Sequence, residues 1–219
     1  MASPVNPPAP APRRRYHSPL RREQAAATRT RILDAALALF RQHGYTATSV
    51  RAIADAAAVS LQTLYQSWGA KPAIVEALLW RVKEQINLPA LFAEMAGGSR
   101  DPQHLLRQSA FISRRYSQAG WDVLELVHQL SPEYPEIAAV WADGEAQRYR
   151  GQHDVINWIA EAGALRPGLD PRRGADTLWT LSSHDLYRLL TRERGYDPGQ
   201  YQAWLFETTA GLLLTPPHP

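Results

Sequence analysis

Apolar residues recur along this chain at helical spacing almost from end to end. Ile32, Leu33, Ala36, Leu39 and Phe40 share one helix face, and Gly44 follows where a left-handed residue ends such a helix. Val50, Ile53, Ala54 and Ala57 form a shorter stripe behind the cap candidates Thr48 and Ser49, and Leu64 and Trp68 supply a third. From Pro72, the positions Ile74, Leu78, Leu79, Val82 and Ile86 predict a long helix running to Gly97-Gly98. Residues 121–130 predict a short apolar helix that stops before Ser131-Pro132. Residues 135–161 predict another, with Ile137, Val140, Trp141, Gly144, Val155, Trp158 and Ile159 inward. Leu178, Leu181, Leu186 and Leu189 stripe an eighth helix over 170–192, and Tyr201, Trp204, Leu205, Thr208 and Leu212 a ninth over 197–214. Asp101-Pro102, Asp170-Pro171 and Asp197-Pro198 each read as a helix entrance, because Asp caps well and Pro suits a first turn. No stretch alternates as a strand does, so the expectation is an all-α protein of about nine helices without repeats.

One corner in this pattern is unusual. In Ser49 to Trp68, the dipeptide Val59-Ser60 interrupts a helical run, and Ser60 suits a cap better than a helix interior. Two short helices joined by a tight turn, the second opening on polar residues, form a helix-turn-helix. The second helix of such a motif enters the DNA major groove N-terminus first. Its early residues here are Ser60, Leu61, Gln62, Thr63, Tyr65 and Gln66. Gln pairs bidentately with adenine, Thr offers a hydroxyl and a methyl, and Tyr offers a hydroxyl to phosphate. Val59 reads as the plug between the two helices, and Leu61 as either a thymine-methyl contact or packing. Two plain core helices would give the same apolar stripes.

Charge agrees with a polyanionic partner. The net charge is only +3, but residues 1–31 carry Arg13, Arg14, Arg15, Arg21, Arg22, Arg29 and Arg31 against Glu23 alone. Six prolines fall within residues 1–20. That composition cannot bury a core, so residues 1–22 are expected to be a disordered basic tail, either in contact with DNA or a passive leader. No cysteine is present, which removes disulfides and thiolate metal sites. No apolar run approaches the roughly 20 residues of a membrane span, and the Pro-rich N-terminus lacks an apolar leader core. A cytoplasmic protein without a membrane partner is expected.

The residues from Arg31 to Ile74 resemble the DNA-binding domain of the TetR family of bacterial transcriptional regulators. The resemblance rests on Ile32-Leu33 with Ala35-Ala36, Leu39-Phe40, Gly44-Tyr45, Thr48-Ser49-Val50, Ile53-Ala54, residues 57–60, Thr63-Leu64-Tyr65, Trp68 at a usual Phe position, and Lys71. It implies a DNA-binding domain over 23–71 and a helical ligand-binding and dimerisation domain over 72–219. Tyr65 and Lys71 would then grip phosphates, aided by Thr48 and Ser49 from the second helix, with Gln62 and Thr63 reading bases. Departures stand out: Ala58 replaces a turn Gly, Gln62 a small residue, Ala70 a Ser cap and Pro72 a Glu. Ala in a left-handed turn costs roughly 1 kcal/mol, so a somewhat different turn is expected.

The second half is rich in aromatics. By resemblance it would enclose an unidentified small effector, apolar or aromatic, for which Ser113, Trp121, His128, Trp141, Gln147, Arg148, Trp158, Trp179 and His184 are the candidates. Leu186, Leu189, Trp204, Leu205, Thr208 and Leu212 are the candidates for a homodimer seam formed by the last two helices. No cofactor, metal or catalytic residue is expected. Two other functions stay open. His153-Asp154 and His184-Asp185, with His128 and Asp197, suit an HD-type metal-dependent phosphohydrolase. A DNA-binding architectural protein without a ligand differs only in having no cavity.

Overall fold

A computed structural model describes residues 19–216, with side chains from residue 22 onward. The arginines Arg13 to Arg15 lie outside the described residues. Among the described residues there are ten α-helices and one π-helical turn, and the only extended pairing is a single antiparallel bridge, Leu165 with Leu214. The helices are α1 (Pro19–His43), α2 (Val50–Ala56), α3 (Leu61–Trp68), α4 (Lys71–Gln85), α5 (Leu88–Gly97), α6 (Pro102–Leu130), α7 (Pro135–Glu161), α8 (Pro171–Leu181), α9 (His184–Arg188) and α10 (Pro198–Leu213). The π turn spans Leu189–Glu193 and continues α9. The chain is all-α, as its periodicity predicts. Helix α1 begins at Pro19, so the expected tail boundary at residue 22 lies inside it.

Local signals set the helix starts. Asp101, Asp170 and Asp197 each accept a backbone N–H three residues on, from His104, Arg173 and Gln200, and Pro occupies the first turn in all three helices. Long-range packing sets the interruptions. The helix expected from Pro72 to Gly97-Gly98 breaks at Asn87, which takes a left-handed conformation at φ 52°. Before the break, Ile74, Val75, Leu78, Leu79 and Val82 pack into a core that α1 to α4 share with the end of α6 and the start of α7. After it, Leu88, Leu91, Phe92 and Met95 pack into a second core with α6, α7, α8 and α10. The break turns one amphipathic helix toward two cores.

Residues 121–130 form the last third of α6, which is 29 residues long and not a separate short helix. Leu105, Leu106 and Ile112 serve the second core, while Val123, Leu124 and Val127 serve the first. The polar run from Arg114 to Gln118 between these groups hides the continuity. Where α6 crosses α4, Gly120 leaves no room for a side chain, since a Cβ there would lie 2.9 Å from Val82 Cγ1. The helix expected over 170–192 divides at Ser182-Ser183, where Ser183 caps α9 through the Leu186 N–H. Ser182 is held there by Arg148 (3.1 Å) and Gln152 (3.2 Å) from α7.

One expected seam residue changes role. Leu205 is 0% exposed, packed with Ala110, Tyr187 and Tyr201 inside its own chain, and cannot face a partner. Leu189 and Leu212 are exposed, while Leu186, Trp204 and Thr208 are half-buried.

Candidate nucleic-acid interface and effector cavity

The α2–α3 corner is built from three local devices. Ser49 caps α2 by accepting the Ala52 N–H at 3.0 Å, and Ser60 caps α3 by accepting the Thr63 N–H at 3.0 Å. Between them, the Val59 N–H bonds the Ala54 carbonyl at 3.0 Å and the Ala58 N–H bonds that of Asp55 at 3.1 Å. This pair of bonds is the Schellman arrangement, with Ala58 in its left-handed position at φ 52° and Val59 packed against the core. The same arrangement ends α7 with Gly163, at φ 67°. Ala58 itself thus takes the left-handed position, and the turn carries that strain.

On α3 the polar face is presented outward. Gln62, Tyr65 and Gln66 are exposed, Tyr65 by 52%. Leu61 is half-buried and packs against the core. Thr63 is half-buried, its hydroxyl 2.7 Å from that of Ser60. Thr48 is corrected. It is 2% exposed, and its hydroxyl donates inward to the carbonyls of Gly44 (2.7 Å) and Leu39 (3.3 Å), so it braces the α1–α2 loop and does not reach for phosphate. Lys71 also turns partly inward. Its Nζ donates to the Tyr45 carbonyl at 2.7 Å and lies 4.3 Å from the Tyr45 ring centroid, and burial lowers its pKa.

Tyr45 joins the corner to the second half of the chain. Its ring packs edge-on to Tyr134 at 5.0 Å, and the Tyr134 hydroxyl bonds that of Thr46. Burial, then the nearby Glu136, pushes the Tyr45 hydroxyl up to about 12. Arg41 to Asp122 (3.1 Å) and Arg81 to Asp34 (2.5 Å) add surface ion pairs from α1 to α6 and from α4 to α1. Such pairs contribute only about 0–1 kcal/mol each, so the Tyr45–Tyr134 packing is the stronger tie.

A cavity of about 810 Å³ opens among α4, α5, α6 and α7. Of the candidates read from sequence, Ser113, Trp141, Gln147, Arg148, Trp158 and His184 line it. Three do not. Trp121 packs on His184 and Tyr187, His128 pairs with Asp185 at 3.5 Å, and Trp179 lies under the Arg148 guanidinium at 4.9 Å. Sequence reasoning missed Trp80, Lys83, Phe92, Tyr116, Ser117 and Gln152 on the wall. Helical spacing held part of the signal: Ser113, Tyr116 and Ser117 share one face of α6, and Trp80 and Lys83 one face of α4.

The polar groups on this wall are mostly committed to each other. Arg148 holds Glu145 (2.6 and 3.1 Å), the Trp179 carbonyl (2.6 Å) and Ser182. Gln152 bridges Ser109 (3.0 Å) and Ser182. Burial pushes the Tyr116 hydroxyl up to about 12, with Glu145 adding to the effect. His184 Nε2 lies 3.3 Å from Glu125, and its buried Nδ1 has no partner among the described residues. Burial lowers the His184 pKa against the opposing pull of Glu125. Burial alone would raise Glu125, but hydrogen bonds from Gln129 and His184 leave it lowered. A neutral imidazole donating to a carboxylate satisfies the geometry, and the burial of His184 favours that form.

The metal set named for a phosphohydrolase does not assemble. Asp197 is used in a capping box, and His153 bonds Asn157 at 3.0 Å. Among the described residues no three His, Asp or Glu side chains are placed to share a metal ion.

Residues 32–78 match the family model for bacterial regulatory proteins of the tetR family, from α1 through the corner into α4. This segment is thus similar to the DNA-binding domain of the TetR family. The UidR transcriptional regulator of Escherichia coli K12 is 37% identical over 117 residues, which are 53% of this chain and 58% of UidR. The chain thus matches little more than half the length of that relative. The KstR2 transcriptional repressor of Mycobacterium tuberculosis is 27% identical over 163 residues, 71% of this chain and 80% of KstR2. The solved SmeT–triclosan complex superposes with a TM-score of 0.69 at 20% identity, covering 87% of this chain and 93% of SmeT, a likeness of fold. None of the described helices is long and apolar enough to cross a membrane.

Proposed function

We propose that this chain is a ligand-responsive transcriptional repressor of the TetR family. It binds a palindromic double-stranded operator as a homodimer and leaves when a small, largely apolar or aromatic effector fills the cavity. The observation that carries this reading is the course of α4. Its first residue, Lys71, holds the Tyr45 carbonyl behind the reading head, and Trp80 and Lys83 three turns later line the cavity. An effector that shifts α4 therefore acts on the head through the same rigid helix. Coupling of this kind is typically about 1–3 kcal/mol, enough to release an operator.

Gln62 and Gln66 would meet base edges, and Tyr65 phosphate, with Ser49 and Ser60 fixing the helix starts. Two heads must sit roughly 34–36 Å apart to meet one face of DNA. The α9–α10 face, with Leu189 and Leu212 exposed beside the half-buried Trp204 and Thr208, would supply the seam that sets this spacing. The cavity favours this reading over a purely architectural DNA-binding protein. Selecting bound DNA from a random pool, beside sedimentation of the protein, tests it. An inverted repeat bound by a dimer is expected. A monomer, or DNA recovered without any shared sequence, would overturn the reading.

A further inference from the structure

We infer that the effector is an amphipathic organic anion, a ring system bearing one carboxylate, with the carboxylate seated on Lys83. This rests on reading the cavity as the effector site. Three cations line the cavity, and they are not alike: Arg150 is exposed to water, while Arg148 and Lys83 are half-buried. Arg148 is compensated by the carboxylate of Glu145 and capped by a carbonyl and a hydroxyl. Among the described residues, Lys83 bonds only the neutral amide oxygen of Gln147, at 2.8 Å. Among the described residues no carboxylate lies within 4.0 Å of its Nζ. An ammonium has three donors, so two remain for a ligand.

The surroundings explain why this charge needs an outside partner. Gln147 gives its own N–H to Asp143 at 2.6 Å, so the amide is spent on both sides and cannot neutralise the lysine. Trp80 lies against the ammonium, 4.7 Å from ring centroid to Nζ, which excludes water from one side. Burial lowers the Lys83 pKa, with Asp143 opposing, as desolvation without an ion pair requires. The chain also has only two lysines among its 24 Lys and Arg residues, and the other, Lys71, is tied to a backbone carbonyl. The acids around the mouth, Glu76, Asp143 and Asp154, are exposed and screened by water.

The rest of the cavity suits the body of such a ligand. Phe92, Trp141 and Trp158 offer ring faces, and about 810 Å³ lies within the range that holds drug-sized molecules. One ammonium balances one carboxylate, whereas a doubly charged phosphate would leave a buried charge unmet.

The test uses the full chain and three probes with one scaffold: 1-pyrenebutyrate, 1-pyrenebutanol and 1-pyrenebutylamine, titrated by energy transfer from tryptophan. A charge-assisted hydrogen bond in a half-buried site makes the acid bind about ten- to a hundred-fold more tightly than the alcohol. Lys83→Met should erase that preference while the alcohol binds as before, which also reports an intact site. Lys83→Arg should retain most of the preference, and Lys83→Gln should lose it if the Met variant does not fold. An alcohol or amine that binds wild type as tightly as the acid overturns the inference but leaves an effector cavity. A preference that survives in Lys83→Met or Lys83→Gln overturns it as well. Failure of all three probes to bind or to release the selected DNA removes the effector reading itself.

Discussion

Ala58 and Gly163 occupy the same place in two helix endings, and exchanging their side chains gives a test with opposite signs. Both residues are exposed and left-handed, at φ 52° and 67°. An L side chain in that conformation costs roughly 1–2 kcal/mol, and the wider freedom of an unfolded glycine takes back roughly 0.4–1 kcal/mol. Ala58→Gly should therefore stabilise the protein by about 0.5–1 kcal/mol. Gly163→Ala should destabilise it by a similar amount, because an added Cβ there meets no atom within 4 Å and only the backbone is strained. For a chain of this length about 1 kcal/mol moves Tm by roughly 2–4 °C. Thermal melts of the two variants and of wild type would show one shift up and one down. Operator affinity should stay unchanged in Ala58→Gly, since no side chain of α3 moves. A lower Tm for Ala58→Gly, or shifts of the same sign, would refute the account of this turn.

Gln62→Ala should cost about 1–3 kcal/mol on the selected operator and relax preference at one base pair per half-site, whereas Tyr65→Phe should weaken all sequences evenly; titrations on matched and mismatched DNA separate the two. Leu212→Glu should give a folded monomer that no longer binds the full palindrome, because the residue is 46% exposed and free to meet a partner. Leu205→Glu should unfold the chain instead, since its carboxylate would enter a closed core, and circular dichroism beside sedimentation distinguishes these outcomes. The lowered His184 pKa has a definite sign: the unfolded chain takes up that proton first, so the stability it contributes is full above about pH 6.5 and is lost as pH falls below it. Melts at pH 7.5 and 5.5 should therefore differ more for wild type than for His184→Gln, and an equal difference would contradict a buried neutral imidazole.

The reading head was legible because its signals are local. Ser49 and Ser60 each bond a backbone N–H three residues away, and the Asp-Pro entrances of α6, α8 and α10 do the same. Such contacts need no knowledge of the rest of the chain. The polar face of α3 followed too, because the alternation of Leu61 and Leu64 with Gln62, Tyr65 and Gln66 separates a buried side from an exposed one within two turns.

What the chain alone determined is therefore the helical class, most helix starts, and the corner with its outward glutamines. The tertiary structure decided what depends on residues far apart in sequence. Asn87 and Ser182-Ser183 break helices because the residues on either side join different cores or are gripped by α7. Leu205 and Leu212 share one apolar stripe on α10, but only contact with Ala110, Tyr187 and Tyr201 makes the first a core residue and leaves the second outside. Thr48 read as a donor to phosphate until the loop folded its hydroxyl onto Gly44 and Leu39. Lys83 was one cation among many until packing half-buried it with no carboxylate beside it among the described residues. Periodicity reports which face of a helix is apolar, but which neighbour that face meets is set by long-range contacts that no local window contains.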